Sequence, residues 1–152
     1  DNLALTARYY ELHLLDLVGF RPELERCLGK GEPVQPEDQH FDPLAGGVLC
    51  PLCGSQRHGA QPISMHALRL MRFLQRSPYA AVQRLRVRPQ VAAELERTQL
   101  RYITVQLERQ LKSVDFLERV RHSGYSAAAK DGGAHAPARA AAPARQPAAG
   151  AE

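Results

Sequence analysis

Three cysteines lie at spacings that could bind a metal ion. Cys50 and Cys53 belong to a Cys-Pro-Leu-Cys-Gly turn, and Cys27 begins a second turn of the same shape. A structural zinc site of the four-thiolate type needs two such turns, each presenting two sulfurs to one tetrahedral ion. In the first turn, Lys30 takes the place of the second cysteine. The pattern predicts either a three-thiolate site with one borrowed ligand or a zinc ribbon that folds without metal.

A histidine could supply the fourth metal ligand. His58 follows Cys53 by five residues, and His40 lies between the two turns. Either imidazole would give a Cys₃His site, whereas the ammonium of Lys30 would have to lose a proton beside a cation. A closed site of this kind leaves no position for water, so its role is structural. The zinc alternative therefore predicts Cys27, Cys50, Cys53 and His58 as ligands.

A basic region follows the second turn. The whole chain has 152 residues and a net charge of +4, but residues 1–54 carry nine acids and four bases, and residues 55–93 carry seven arginines and no acid. Such a region favours an anionic partner, with a solvated helix face as the alternative. We predict that an anionic partner binds to the set Arg57, Arg69, Arg72, Arg76, Arg84, Arg86 and Arg88.

Length and composition restrict the class of protein. A chain of this length allows one domain with a modest core, and it has no apolar run long enough to cross a bilayer. Three cysteines form no even disulfide set, which favours a reducing cytosol with free or metal-bound thiols. Because the chain begins at Asp1 and is helical almost at once, we expect a piece of a longer protein. No catalytic motif occurs, so we predict that it is not an enzyme.

The chain before the first turn is predicted to be helical. Apolar spacing indicates a helix over residues 3–18, ended by Gly19, and a short second helix from Pro22 to Arg26. The apolar stripe of the first helix is expected to comprise Leu3, Ala7, Tyr10, Leu14 and Val18.

Residues 27–58 predict a zinc-ribbon-like insertion between helices. This span is rich in proline and glycine, and an ordinary domain rarely carries so long a structureless segment. The pattern indicates a small hairpin, with Phe41 before Gly46-Gly47 and Val48-Leu49 after them.

The rest of the chain predicts a small helical bundle and a tail. A helix is expected from an N-cap at Ser64 to Arg76, a short one over residues 79–85, and a long one from about residue 90 to 121. The seam of the long helix is expected to be bundle core: Leu95, Leu100, Ile103, Leu107, Leu111, Val114 and Leu117. We predict a mainly α domain over residues 1–122 and a disordered Ala/Pro/Arg-rich tail over residues 123–152.

Three segments, taken in order, resemble the bacterial recombination mediator family RecO. Residues 10–27 (YELHLLDLVGFRPELERC) resemble the helix leading into that family's zinc-finger region, and residues 46–53 (GGVLCPLC) resemble its second knuckle. Residues 107–117 (LERQLKSVDFL) are similar to its closing helix, with Glu108 where glycine is usual. The resemblance covers about residues 3–121. It implies the helical and zinc-finger part of such a protein, without the N-terminal OB-fold domain.

The resemblance implies a non-catalytic role in DNA repair. Members of the family bind single- and double-stranded DNA, anneal strands, join RecR, dock the acidic C-terminal tail of single-stranded-DNA-binding protein and help load RecA. A cytoplasmic, nucleoid-associated location is implied as well. Lys30 departs from the family at a zinc ligand, so the resemblance leaves metal binding open. The alternative function is a zinc-ribbon adaptor that binds only acidic protein partners.

Overall fold

A computed structural model describes residues 2–128 of the chain and the side chains of residues 3–121. Its elements follow in the order α1 (Asn2–Leu17), β1 (Gln39–Asp42), β2 (Gly47–Leu49), α2 (Pro51–Ser55), β3 (Gln61–Ile63), α3 (Met65–Arg76), α4 (Tyr79–Val82) and α5 (Pro89–Ala128). The prediction of a mainly α fold is confirmed. Residues 129–152, which hold most of the predicted tail, lie outside the described part of the chain.

The chain divides into two compact units, residues 1–114 and 115–152, with the boundary inside α5. The first unit contains the sheet, the core and the candidate sites. In the second unit, the described part is the C-terminal end of α5. The domain boundary expected at residue 122 stays a prediction.

Helix α1 ends as predicted but buries a different face. Gly19 has a φ of +83°, and the Phe20 N–H donates to the Leu15 carbonyl at 2.7 Å, which closes the helix in the usual left-handed cap. The prediction of its buried stripe is wrong. Leu5, Leu12 and Leu15 are buried, whereas Leu3, Tyr10, Leu14 and Val18 are exposed. Because leucines occur around most of this helix, the periodicity alone did not determine which face meets α3.

The predicted helix from Pro22 to Arg26 is absent, because the segment pairs with the ribbon instead. The Glu23 N–H donates to the Gly46 carbonyl at 3.0 Å, and the Val48 N–H donates to the Glu23 carbonyl at 2.8 Å. One helical turn would satisfy fewer backbone groups than this extended pairing, since nucleating a helix is costly. The extended segment therefore delivers Cys27 alongside β2.

The sheet has the order β2-β1-β3, and both neighbours are antiparallel to β1. Phe41 faces Val48 across the predicted hairpin, which is confirmed. Strand β3 was not predicted, because it is three residues long and contains Pro62. Proline fits there because β3 is an edge strand, where one N–H needs no partner in the ladder.

Helix α3 begins and packs as predicted. The Ser64 hydroxyl accepts a hydrogen bond from the Ala67 N–H at 3.1 Å. Ser64 also donates from its N–H and its hydroxyl to the two carboxylate oxygens of Glu94, at 2.6 and 2.7 Å, which joins the starts of α3 and α5. The predicted apolar side is buried: Ile63, Ala67, Leu70, Met71 and Leu74. The following short helix, α4, ends at Val82, one turn before the predicted end.

The buried face of α5 is largely polar, so the prediction of its core seam is wrong. Leu95 is buried and Ile103 partly so, but the rest of the predicted seam is exposed: Leu100, Leu107, Leu111, Val114 and Leu117. The buried stripe continues from Leu95 through a set that donates to backbone carbonyls: Gln99 to Arg8, Tyr102 to Phe20 and Gln106 to Pro43, each at 2.9 Å. A buried carbonyl without a partner is costly, which favours donors here over leucine.

Replacing Tyr102 by phenylalanine is expected to lower the free energy of unfolding by about 1–2 kcal/mol. Tyr102 is 2% exposed, and its ring packs edge-on against Phe41. Phenylalanine keeps this packing but leaves the Phe20 carbonyl without its donor. Urea denaturation measures the change. Tyr10→Phe is the matched control, because Tyr10 is 56% exposed, and it should change stability by less than about 0.5 kcal/mol. Equal effects of the two changes would contradict this role for the hydroxyl.

Candidate metal centre and anion-binding surface

The three cysteines lie together at one end of the ribbon. Their sulfur atoms are all within 4.8 Å of one another. Cys27 comes from the extended segment beside β2, Cys50 follows β2, and Cys53 lies on α2. Two thiolates bound to one tetrahedral zinc ion are about 3.8 Å apart, from a Zn–S distance of about 2.3 Å. The cluster is therefore close enough to hold a metal ion.

Backbone amides around Cys27 favour the thiolate form that a metal requires. The Cys50 N–H donates to the sulfur of Cys27 at 3.3 Å. Burial alone would raise the pKa of the Cys27 thiol, but hydrogen bonds from backbone N–H groups of Cys50, Lys30 and Gly29 lower it to about 7. Hydrogen bonding to Cys50 raises the pKa of the Cys53 thiol to about 11, with burial and Cys27 acting in the same direction. The Cys27 sulfur is thus favoured as a thiolate, and a bound cation would displace the proton of the Cys53 thiol.

The backbone is fitted closely around the sulfurs. A Cβ added to Gly29 would lie 2.7 Å from the sulfur of Cys53, which is closer than carbon and sulfur atoms approach. Alanine at this position would therefore push Cys53 out of the cluster. The geometry and the donor set both fit a thiophilic cation such as zinc.

Neither histidine considered as a fourth ligand belongs to the cluster. Among the described residues, the group of close metal-binding atoms contains the three sulfurs and no imidazole. His58 is exposed, in the loop after α2. The His40 ring packs against Gly54, and its Nδ1 is buried with no hydrogen-bond partner in the described part of the chain. Lys30 lines the surface cleft beside Cys27 and Cys50.

Three of the seven arginines are held by interactions within the chain. Arg57 donates from Nε to the buried carboxylate of Asp42 at 2.8 Å. Arg72 donates from Nε to the Leu24 carbonyl at 2.7 Å and lies 3.5 Å from the Glu25 carboxylate. Arg76 forms an ion pair with the same carboxylate. These contacts stabilise the ribbon and the segment before it. They also make these three arginines less available to bind an external anion.

The other four arginines, Arg69, Arg84, Arg86 and Arg88, are exposed. Their side chains form no hydrogen bond or ion pair with any described residue. Three of them border a groove between α3 and the segment that leads into α5. The floor of this groove is apolar, with Leu70, Phe73, Leu85, Val87 and Val91, and its charged or polar border is His66, Arg69, Arg86 and Arg88. We call it the arginine groove.

Sequence reasoning treated the seven arginines as equal and missed their internal partners. The partners of Arg57, Arg72 and Arg76 lie 15 to 51 residues away along the chain. One signal could have shown that such pairs exist. Residues 1–54 carry a net charge of −5 beside a region of +7, so some of these opposite charges should meet within the fold.

In the described part of the chain, no helix is both long and apolar enough to cross a membrane.

Known proteins similar to this chain are repair proteins. Residues 1–115 match the family model described as "Recombination protein O C terminal". The chain is similar to "DNA repair protein RecO" of Roseiflexus sp. (strain RS-1), with 41% identity over 117 residues that cover 77% of this chain and 41% of that protein. The protein of the same name from Symbiobacterium thermophilum is 40% identical over 116 residues, or 75% of this chain and 46% of its own length.

A more distant relative carries the same name. "DNA repair protein RecO" of Dehalococcoides mccartyi (strain ATCC BAA-2266 / KCTC 15142 / 195) is 31% identical over 117 residues, which are 75% of this chain and 45% of that protein. The chain thus spans less than half the length of each of these relatives. No solved structure matches it. Because the family model covers 115 of the 152 residues, this chain belongs to the RecO C-terminal family.

Proposed function

We propose that this chain is the helical and zinc-ribbon part of a DNA repair and recombination mediator, which acts by binding and not by catalysis. Membership of the RecO C-terminal family and the names of the relatives support the repair role. The observation that carries the binding role is the arginine groove. There, Arg69, Arg86 and Arg88 border one surface and lack partners among the described residues.

The arginines of the groove, together with Arg84, are suited to bind phosphates. A guanidinium that is already paired must break that contact before it can meet a phosphate, whereas these four need not. Each phosphate that they neutralise releases condensed counterions, which favours binding at low salt. Arginine also matches a phosphate with two parallel hydrogen bonds. We therefore assign the binding of single- and double-stranded DNA chiefly to this set, and a smaller share to Arg57, Arg72 and Arg76.

The finer parts of the function follow the family resemblance. They are strand annealing, association with RecR, docking of the acidic tail of single-stranded-DNA-binding protein, and support of RecA loading. These activities belong to the whole mediator, of which this chain corresponds to less than half. We propose a cytoplasmic, nucleoid-associated location for a protein with these activities.

The second candidate function is an adaptor that binds only acidic protein partners. The apolar floor of the arginine groove favours it, since a DNA backbone gains little from a surface made of Leu70, Phe73 and Val91. An acidic peptide with an apolar residue would use both the floor and the charged border. The two functions therefore differ in the ligand that the same groove prefers.

Zinc is the metal that we propose for the cysteine cluster. Cys27, Cys50 and Cys53 would hold it, because their sulfurs already lie within 4.8 Å of one another. When bound, the ion would supply a structural cross-link between the extended segment and α2. Zinc analysis of chain purified without chelator is expected to give about one ion per chain. A value near zero in folded protein would remove this proposal.

Charge reversal in the arginine groove is expected to weaken DNA binding. The double change Arg69→Glu and Arg86→Glu removes two cations and adds two anions, so affinity for a single-stranded oligonucleotide at low salt should fall about tenfold or more. Fluorescence anisotropy with a labelled oligonucleotide measures it. The matched control is Arg97→Glu with Arg101→Glu, because these α5 arginines are exposed and do not line the groove.

The same variants should be titrated with an acidic peptide that ends in an apolar residue. Loss of DNA binding in the groove variant, with most of it retained in the control, supports the mediator. A wild-type chain that ignores DNA at low salt but binds the peptide would support the adaptor and overturn the DNA-binding proposal.

A further inference from the structure

We propose that the metal centre of this chain has an open fourth coordination position that accepts an exogenous thiolate from solvent. The inference deepens the proposed zinc site and depends on it. It concerns the place where this chain differs from a four-cysteine ribbon, which is Lys30. Such a centre would be exchangeable, whereas a closed four-thiolate centre is inert toward added ligands.

The first argument is the number of protein donors. Zinc in a protein is almost always four-coordinate, and this cluster offers three sulfurs. Within the described residues, no histidine, aspartate or glutamate atom lies close enough to join all three. The described residues therefore leave the fourth position to an added ligand, which is water when nothing better is available.

The second argument is access. Cys27 and Cys50 line a surface cleft together with Lys30. Cys27 is buried and Cys50 is partly exposed, so solvent in the cleft reaches the cluster beside Cys50. The third sulfur, of Cys53, is packed against Gly29. A small ligand can therefore enter beside Lys30, where a four-cysteine ribbon would have its own sulfur.

The third argument concerns which ligand fits. Zinc with three thiolates carries a net charge of −1, and a sulfur donor completes the set that zinc prefers in ribbons. The Lys30 ammonium in the cleft favours a small anionic donor, while Glu32 and Glu37 in the same cleft disfavour a large polyanion. A small thiolate satisfies both conditions.

Cobalt(II) bound to the full chain is the probe, because its absorption reports the number of thiolates. The chain is reduced with a phosphine, so that its own cysteines are the only thiols present at the start. It is then loaded with one equivalent of cobalt. Addition of 2-mercaptoethanol should then raise the sulfur-to-cobalt absorption by about a third, from three thiolates to four, and saturate. Lys30→Cys should begin at the higher absorption and remain there. Lys30→Ala should reach the same final absorption as the wild type but require more thiol, because the ammonium that favours an anionic donor is gone.

Two outcomes would overturn the proposal. One is a folded wild-type chain that binds neither cobalt nor zinc. The other is a wild-type cobalt complex whose spectrum does not change with added thiol, which would show that a donor of the chain closes the site. Circular dichroism of each variant establishes that it is folded. DNA binding measured on the same samples separates a failure of the metal proposal from a failure of the arginine groove.

Discussion

Gly54→Ala is expected to lower the free energy of unfolding by about 3 kcal/mol and to abolish metal binding. A Cβ at position 54 would lie 2.2 Å from Cγ and 2.4 Å from Cβ of His40. The Cβ of His40 is fixed by the backbone of β1, the central strand, so a change of rotamer does not relieve the overlap. Helix α2 must then move away from the sheet, and Cys53 moves with it.

Urea denaturation and zinc analysis together test this prediction. Gln56→Ala is the control, because Gln56 is exposed at the end of the same short helix and should change stability by less than about 0.5 kcal/mol. The contact between Gly54 and His40 would be disproved if the alanine variant kept wild-type stability and a full complement of zinc.

Asp42→Ala is expected to lower the free energy of unfolding by a similar amount, about 3 kcal/mol, although it removes only a small side chain. Asp42 is 0% exposed. One carboxylate oxygen accepts the N–H groups of Leu44 and Ala45, at 2.9 and 3.1 Å, and the other accepts Nε of Arg57. Alanine would leave two amides of the hairpin turn without an acceptor.

Two further variants separate the turn from the ion pair. Asp42→Asn keeps an oxygen for the turn amides and should cost less than alanine. Arg57→Gln removes only the partner that is 58% exposed and leaves the turn amides their acceptor, so it should cost less than Asp42→Ala. Comparison of the denaturation midpoints ranks the three. If Arg57→Gln were as destabilising as Asp42→Ala, the ion pair and not the turn would be the main role of Asp42.

The fold could be predicted from sequence where local rules and packing agree. Helix α3 has one apolar side and a serine cap, and both occur as predicted. Helix α5 was predicted to exist, but its buried face was not. The carbonyls of Phe20 and Pro43 need donors, and that need depends on loops far away in the chain. A pattern of leucines carries no information about it.

The candidate sites divide in the same way. The spacing of Cys50 and Cys53 predicted a metal cluster, and the structure brings Cys27 to it. The sequence could not show which arginines are available to a partner. Arg72 and Arg76 pair with Glu25, which lies about fifty residues away along the chain. An ion pair of this kind follows from the tertiary fold. It decides which cations a phosphate or an acidic peptide can reach.

The salt dependence of single-stranded DNA binding tests the central claim most directly. If four arginines contact phosphates, the logarithm of the binding constant should fall with the logarithm of salt concentration with a slope of about −3. In the Arg69→Glu, Arg86→Glu variant the slope should become shallower by roughly 1.4, since two contacts are lost. Arg57→Gln should leave it nearly unchanged, because Arg57 is paired with Asp42. Equal slopes in the wild type and the groove variant would contradict the assignment of DNA binding to the arginine groove.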